Sequence, residues 1–256
     1  MKTYNFLGFD IPIDLLNMTG GGVGDFDAIA FGHFEYLKKH IDIQPTDSLL
    51  EIGCGIGRDA IPLTKYITSG TYDGIDIIGR SIEWCQGNIE SKFSNFKFHH
   101  FDVKDKLHNQ NGKYRLEEYK IPCKDASIDK IFLWSVFTHM FAGDIYFYLK
   151  EFKRVLKPNG KILITCFIVD DNILKEARKV DLTPWGLRFD YSYEEGCFIN
   201  NLEYPTGAVA FTEKKLVDLI LMSGLKTDFP ILTGQWYGKL DGLGFGQDVI
   251  ICSKPI

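Results

Sequence analysis

Residues 49–60 read LLEIGCGIGRDA, and the run passes from an apolar stretch into a helical one through Gly53, Gly55 and Gly57. Glycines at alternate positions let the chain turn sharply and bring its backbone close to a ligand, because no Cβ intervenes. Read from Gly53 the pattern is G-x-G-x-G. Read from Gly55, Ala60 completes the looser dinucleotide form, so the loop by itself leaves the ligand open. Three acids accompany it. Asp76 lies 19 residues after Gly57, at the end of the next strand, where a carboxylate can accept the hydroxyl protons of a ribose. Asp102 ends the following strand, where an adenine amino group would lie, and Glu51, just before the glycines, can meet a cationic or amino group. Each acid singly reads as a solvated loop residue. Together, at the carboxyl ends of successive strands, they mark the edge at which open α/β sheets bind ligands.

The hydrophobic pattern supplies the elements that hold these groups. Residues 48–53 form a buried strand, followed by a helix over about 57–67. Further strands are expected at 71–77, 96–103, 129–136 and 161–169, with helices over about 80–93 and 144–156. Strands alternating with helices imply right-handed crossovers, hence an α/β fold with a doubly wound, mostly parallel sheet. The expectation is a single domain over 1–256: an N-terminal lid (1–44) with a helix at 25–40, a ligand-binding core (45–170), a polar insertion (171–210) and a C-terminal part (211–256). The last part holds a helix at 212–223 and strands near 227–237 and 246–253.

Composition sets the outer bounds. In 256 residues, 45% are hydrophobic and 14% aromatic, so the chain can bury a sizeable core and does not read as disordered. A net charge of -5 argues against a general nucleic-acid binder. No apolar run approaches the roughly 18–20 residues of a spanning helix, so no membrane insertion is expected. The first nine residues lack the apolar stretch of an export signal, so a cytoplasmic setting is expected. The six cysteines are at least 31 residues apart in sequence, with no C-x-x-C pair, so they read as reduced thiols.

The succession LLEIGCGIGRDA, GIDI, HHFDV, IPCKDASIDKIFLWSVFTHM and YLKEFKRVLKPNGKILI resembles class I S-adenosylmethionine-dependent methyltransferases over about residues 45–170. The resemblance implies a Rossmann-like sheet of seven strands whose last strand is antiparallel. It implies that Gly53, Gly55 and Gly57 line the methionine part of S-adenosylmethionine, with Glu51 beside them. It also implies that Asp76 holds the ribose, that Asp102 with Val103 holds the adenine, and that Leu133 and Trp134 close over the cofactor. SVFTHM, EYPTGAVAFTEKKLVDLILMSGL and the closing W-x-G…GQDVII look like a bacterial group found among polysaccharide and secondary-metabolite methyltransferases. Members of that group often carry Arg after W-x-G, where this chain has Lys239.

A sugar hydroxyl needs its proton removed before it attacks a methyl group, and a positioned base contributes about 10²–10⁴-fold. His139, following the fourth strand, is the candidate base; its other reading is a hydrogen bond that holds the loop. Asp170 and Asp171, after the fifth strand, read as a helix cap or, with His139, as ligands of a divalent metal ion. His33, His40 and His108 read as surface residues. In the 171–210 insertion, Trp185, Tyr191, Tyr193 and Tyr204 lie among amides and carboxylates, which suits a polyol ring. The expected function is therefore O-methylation of a small polar acceptor, a nucleotide-linked sugar for capsule or other surface polysaccharide. N-methylation of an amino sugar or metabolite, a non-catalytic adenosylmethionine-binding protein, and a nicotinamide dehydrogenase are the alternatives.

Overall fold

A computed structural model describes residues 2–105, 109–179, 186–238 and 246–255. His108, Trp185 and Lys239 lie outside these residues. The central sheet contains β1 (Ser48–Ile52), β2 (Thr71–Asp76), β3 (Phe96–His100), β4 (Ile128–Leu133), β5 (Leu156–Cys166), β6 (Lys226–Leu232) and β7 (Asp248–Ser253). Their order is β6-β7-β5-β4-β1-β2-β3. β2 is parallel to β1 and β3, whereas β7 is antiparallel to β5 and β6. This is the seven-stranded, mostly parallel α/β sheet that the alternating pattern predicts. The helices longer than one turn are α1 (Phe26–Ile41), α2 (Gly79–Cys85), α3 (Ala142–Val155), α4 (Asp171–Ala177) and α5 (Glu213–Met222). The chain divides into two compact units, residues 1–132 and 133–256.

In the first unit, α1 buries Phe26, Ala30, His33, Leu37 and Ile41 along one helical stripe. Lys38, Lys39 and His40 occupy its last turn, where positive charge suits the helix dipole. An antiparallel hairpin, Thr3–Phe6 with Phe9–Pro12, precedes it, and Tyr4 Oη donates to Asp27 at 2.9 Å. The helix expected over 57–67 is α-helical only across Ala60–Leu63. Pro62 has no N–H, and Thr64 Oγ1 donates back to the Ile61 carbonyl, so the segment continues as turns. The helix expected over 80–93 changes after α2 into a π turn, Gln86–Glu90. Ile89 of that turn approaches the glycine loop so closely that a Cβ on Gly57 would lie 2.7 Å from its Cδ1.

A buried polar network ties α1 to the glycine loop. His33, expected on the surface, is 7% exposed. Its Nδ1 donates to Asp59 Oδ2 at 2.9 Å. Asp59 is hydrogen-bonded in turn to Glu51, and Tyr72 Oη donates to Glu51 Oε2. Burial, followed by the Asp59 charge, pushes Glu51 well above the usual carboxylate range. Burial also opposes ionisation of Asp59, but His33 and then Arg58 hold it below the ordinary value. Glu51 is therefore the proton carrier of the pair, and Asp59 the anion.

In the second unit, α3 buries Ile145, Tyr148, Leu149, Phe152 and Val155. The stretch expected as a polar insertion contains a three-stranded antiparallel sheet of Tyr191–Glu194, Cys197–Ile199 and Val209–Phe211. It also contributes Leu187, Phe189, Ala208 and Ala210 to an apolar cluster with Phe167 and Trp236. Asp248, 2% exposed, holds this region together. Its carboxylate accepts the N–H groups of Gly234 and Ile168, each at 2.7 Å, and Trp236 Nε1 at 2.8 Å. The strand expected over 227–237 ends at Leu232, because the chain must turn to bring Gly234 and Trp236 onto that carboxylate.

Two predictions test the buried network. Glu51→Ala leaves the Tyr72 hydroxyl and the Asp59 carboxylate short of a partner, at about 1–3 kcal/mol for each buried group; the thermal midpoint falls by several degrees. Glu51→Gln keeps the shape of the neutral acid. A carboxyl whose folded pKa is raised contributes stability that is complete below its unfolded value and is lost as pH rises toward the folded one. Glutamine does not titrate, so the variant gains on the wild type in denaturant titrations as pH rises above the ordinary carboxylate range. Parallel curves would show that Glu51 is ionised.

Candidate functional site

The first unit presents the glycine loop and two of the expected acids. Gly53, Gly55 and Gly57 have φ of 77°, 51° and 76°, a left-handed region costly for residues with a Cβ. Gly55 is restricted twice over, since a Cβ there would lie 2.8 Å from Thr19 Cγ2. Asp76 holds the loop in this shape: Oδ2 accepts Gly55 N–H at 2.7 Å, and Oδ1 accepts Ile78 N–H at 2.8 Å. The buried thiols of Cys54 and Cys85 face the Gly55 carbonyl at 3.9 and 3.7 Å. Burial pushes both thiols well up, so they are neutral here.

Asp102 lies just beyond β3, with Asn109 Nδ2 donating to its Oδ1 at 3.2 Å and Lys113 Nζ 3.5 Å from Oδ2. The Asn109 hydrogen bond, with His100 and Lys113 adding, holds its carboxyl below the usual range. Val103 beside it is buried and forms a bridge to Tyr114. Glu51 is turned into the buried network described above. There it is joined to Asp59, which follows the glycine loop.

Two features of this unit escape sequence reasoning. Arg58 replaces the third glycine of a dinucleotide loop, and its Nη1 donates to the carbonyls of Thr19 and Gly20 at 3.2 and 2.9 Å. The glycine-rich segment before α1 is thereby clasped against the loop, with Thr19 over Gly55. Asn109 is the other, seven residues from the acid it orients. The left-handed glycines, the Asp76 carboxylate and the Asp102 pair suit the donors and acceptors of an adenosyl ligand.

The second unit presents the stretch after β4. Leu133 and Trp134 are buried. Ser135 has φ 57°; its N–H donates to Thr165 Oγ1 at 2.7 Å, and its Oγ accepts Gln247 Nε2 at 2.9 Å. A 3₁₀ turn, Phe137–His139, follows. His139 Nδ1 lies 2.9 Å from the Thr206 carbonyl. A carbonyl can only accept, so this partner places a proton on Nδ1.

Of the two readings of Asp170 and Asp171, the helix cap is the one the structure shows. Asp170 is the N-cap of α4, and its Oδ1 accepts Ile173 N–H at 2.7 Å. Asp171 opens the first turn of the same helix, where a carboxylate suits the helix dipole. Among the described residues, no three His, Cys, Asp or Glu side chains converge as metal ligands. Among those residues, too, no helix is long and apolar enough to cross a membrane.

A family model described as a methyltransferase domain matches residues 43–196. Methyltransferase GfsG of Streptomyces halstedii is 25% identical over 135 residues, which is 53% of this chain and 43% of that protein. The chain spans between 38% and 56% of the length of the curated relatives GfsG, a Gibberella zeae sterol 24-C-methyltransferase and a Haemophilus influenzae protein. Among solved structures, an S-adenosylmethionine-dependent methyltransferase of Methanosarcina mazei superposes with a TM-score of 0.51 at 24% identity, covering 84% of this chain and 95% of that one. The 1,6-didemethyltoxoflavin-N1-methyltransferase of Burkholderia thailandensis, solved with S-adenosylhomocysteine, gives a TM-score of 0.50 at 15% identity, covering 90% and 77%. These likenesses show the fold, and the family match covers more than half of the sequence: the chain belongs to the methyltransferase-domain family, on the fold of the S-adenosylmethionine-dependent enzymes.

Proposed function

We propose that the chain is an S-adenosylmethionine-dependent O-methyltransferase acting on a hydroxyl of a small polar acceptor, a nucleotide-linked sugar of the kind used for surface polysaccharide. The observation that carries the choice of a hydroxyl is the orientation of His139 by the Thr206 carbonyl, 2.9 Å from Nδ1. In this reading the ring so held takes the proton of an attacking alcohol. The same carbonyl then favours the imidazolium that results, as an acceptor facing an N–H that has become charged.

Bound S-adenosylmethionine supplies an electrophilic methyl on a sulfonium. In this reading the chain's own residues do the rest. Asp76 accepts the ribose hydroxyls while keeping Gly55 in its left-handed turn. Gly53, Gly55 and Gly57 allow the backbone to approach the methionine part, and Asp102 with Val103 receives the adenine. Leu133 and Trp134 exclude water from the reacting side. Proximity and alignment of the acceptor account for several kcal/mol of the barrier, with His139 adding about 10²–10⁴-fold.

Two predictions follow from these roles. In assays of UDP-, GDP- and dTDP-linked sugars with S-adenosylmethionine, His139→Ala lowers kcat by about 10²-fold or more and leaves S-adenosylhomocysteine affinity within twofold. Unchanged turnover in His139→Ala, or a methyl found on nitrogen in the product, removes the O-methylation reading. Asp76→Asn weakens S-adenosylhomocysteine by about 10–100-fold in calorimetry, the range for lost charge-assisted hydrogen bonds. Equal affinity in the variant would remove Asp76 from the cofactor site.

A further inference from the structure

The three-stranded sheet of the second unit contains a strand with no buried residue. All four residues of Tyr191–Glu194 are exposed, so this strand gains little from burial of its own side chains. Yet Tyr193 is held in one orientation. Its ring stacks on Phe141 with centroids 4.3 Å apart and planes 9° from parallel. Tyr193 remains 51% exposed. The pair is therefore a flat, ordered aromatic surface that the fold leaves open to water. Tyr204, 65% exposed, stands on a turn fixed by Asn201, whose Oδ1 accepts the N–H groups of Glu203 and Tyr204 at 2.8 and 3.3 Å.

Chain connectivity brings these rings to the candidate base. Phe141 is two residues after His139, and Tyr204 is two residues before Thr206, whose carbonyl holds the His139 ring. Two residues span at most about 7 Å, so the backbone of Phe141 lies near that of His139, and the backbone of Tyr204 near the Thr206 carbonyl. Exposed aromatic faces on segments that also carry Glu194 and Glu203 match one ligand chemistry well. A pyranose has an apolar C–H face to lay on an aromatic ring and a rim of hydroxyls to donate to carboxylates.

We propose that the Phe141–Tyr193 stack, with Tyr204 beside it, is the platform that receives the acceptor, taking the C–H face of a pyranose ring so that a ring hydroxyl meets His139. The proposal rests on the O-methylation reading and adds the residues that select the acceptor. Tyr193 and Tyr204 bind and orient; they take no part in proton transfer.

The test separates binding from chemistry. Saturation-transfer NMR is run on the full chain with S-adenosylhomocysteine present, using methyl α-D-glucopyranoside, methyl α-D-mannopyranoside, UDP-glucose and GDP-mannose as probes. Saturation of the sugar C–H protons is expected. Tyr193→Ala weakens binding about tenfold, and Tyr193→Phe restores it. With any acceptor that turns over, Tyr193→Ala raises the acceptor KM about tenfold, with kcat and cofactor affinity within twofold. The proposal is overturned if the wild type saturates none of these rings, if saturation falls on the nucleobase alone, or if Tyr193→Ala binds like the wild type. If Tyr193→Ala loses binding while His139→Ala keeps full turnover, the platform stands and the base assignment fails. If His139→Ala loses turnover while Tyr193→Ala keeps its KM, the reverse holds.

Discussion

The geometry of the candidate cofactor site depends on one carboxylate gripping two backbone amides. Asp76 bonds Gly55 N–H and Ile78 N–H, and so fixes the loop that follows β1 to the turn that follows β2. Neither segment is regular structure, and each carries N–H groups without a helical or ladder partner. A charged acceptor is a strong partner for such donors. The loop can therefore keep the left-handed turns that glycine permits without drifting among the many other conformations glycine also permits. The residue that shapes the cradle is also the one suited to meet the ligand's ribose.

The network of Glu51, Tyr72, Asp59 and His33 works beneath this loop by a different principle. Four polar groups share few protons in a dry interior, and the arrangement closes because one carboxyl stays neutral. Isolated buried charges are costly; one anion faced by a histidine and a nearby guanidinium is far less so. The network links α1 to the start of the segment after the glycines, and Arg58 reaches from the same place to Thr19 and Gly20. The N-terminal segment is thus attached to the loop by polar contacts at both of its ends.

The sheet was legible in the sequence because buried parallel strands are runs of apolar residues, and β1, β4 and β5 are such runs. The glycine loop and Asp76 were legible because a local backbone constraint leaves a local spacing. His33 was not: one polar residue on a helix reads as surface, and its partner Asp59 lies 26 residues away. The small sheet was missed because strands of three and four residues are too short to show a period of two. Just before it, the buried Leu187 and Phe189 are interleaved with the charged Arg188 and Asp190, which mask them in the local composition. The Asp170–Asp171 pair illustrates another limit. The same two carboxylates suit a helix start and a cation, and only the position of Ile173 N–H decides between them.

The left-handed Ser135 restricts how this scaffold can be modified. Everything from Val136 to Phe141 leaves the end of β4 in a direction set by that one backbone angle, which is locked by Thr165 on β5 and by Gln247 just before β7. A β-branched residue at 135 would resist the angle, whereas Asn or Gly would accept it. A chimera that imports residues 136–141 from a relative would aim them correctly only if positions 135, 165 and 247 travel as one inherited set, although together they span more than a hundred residues of the chain.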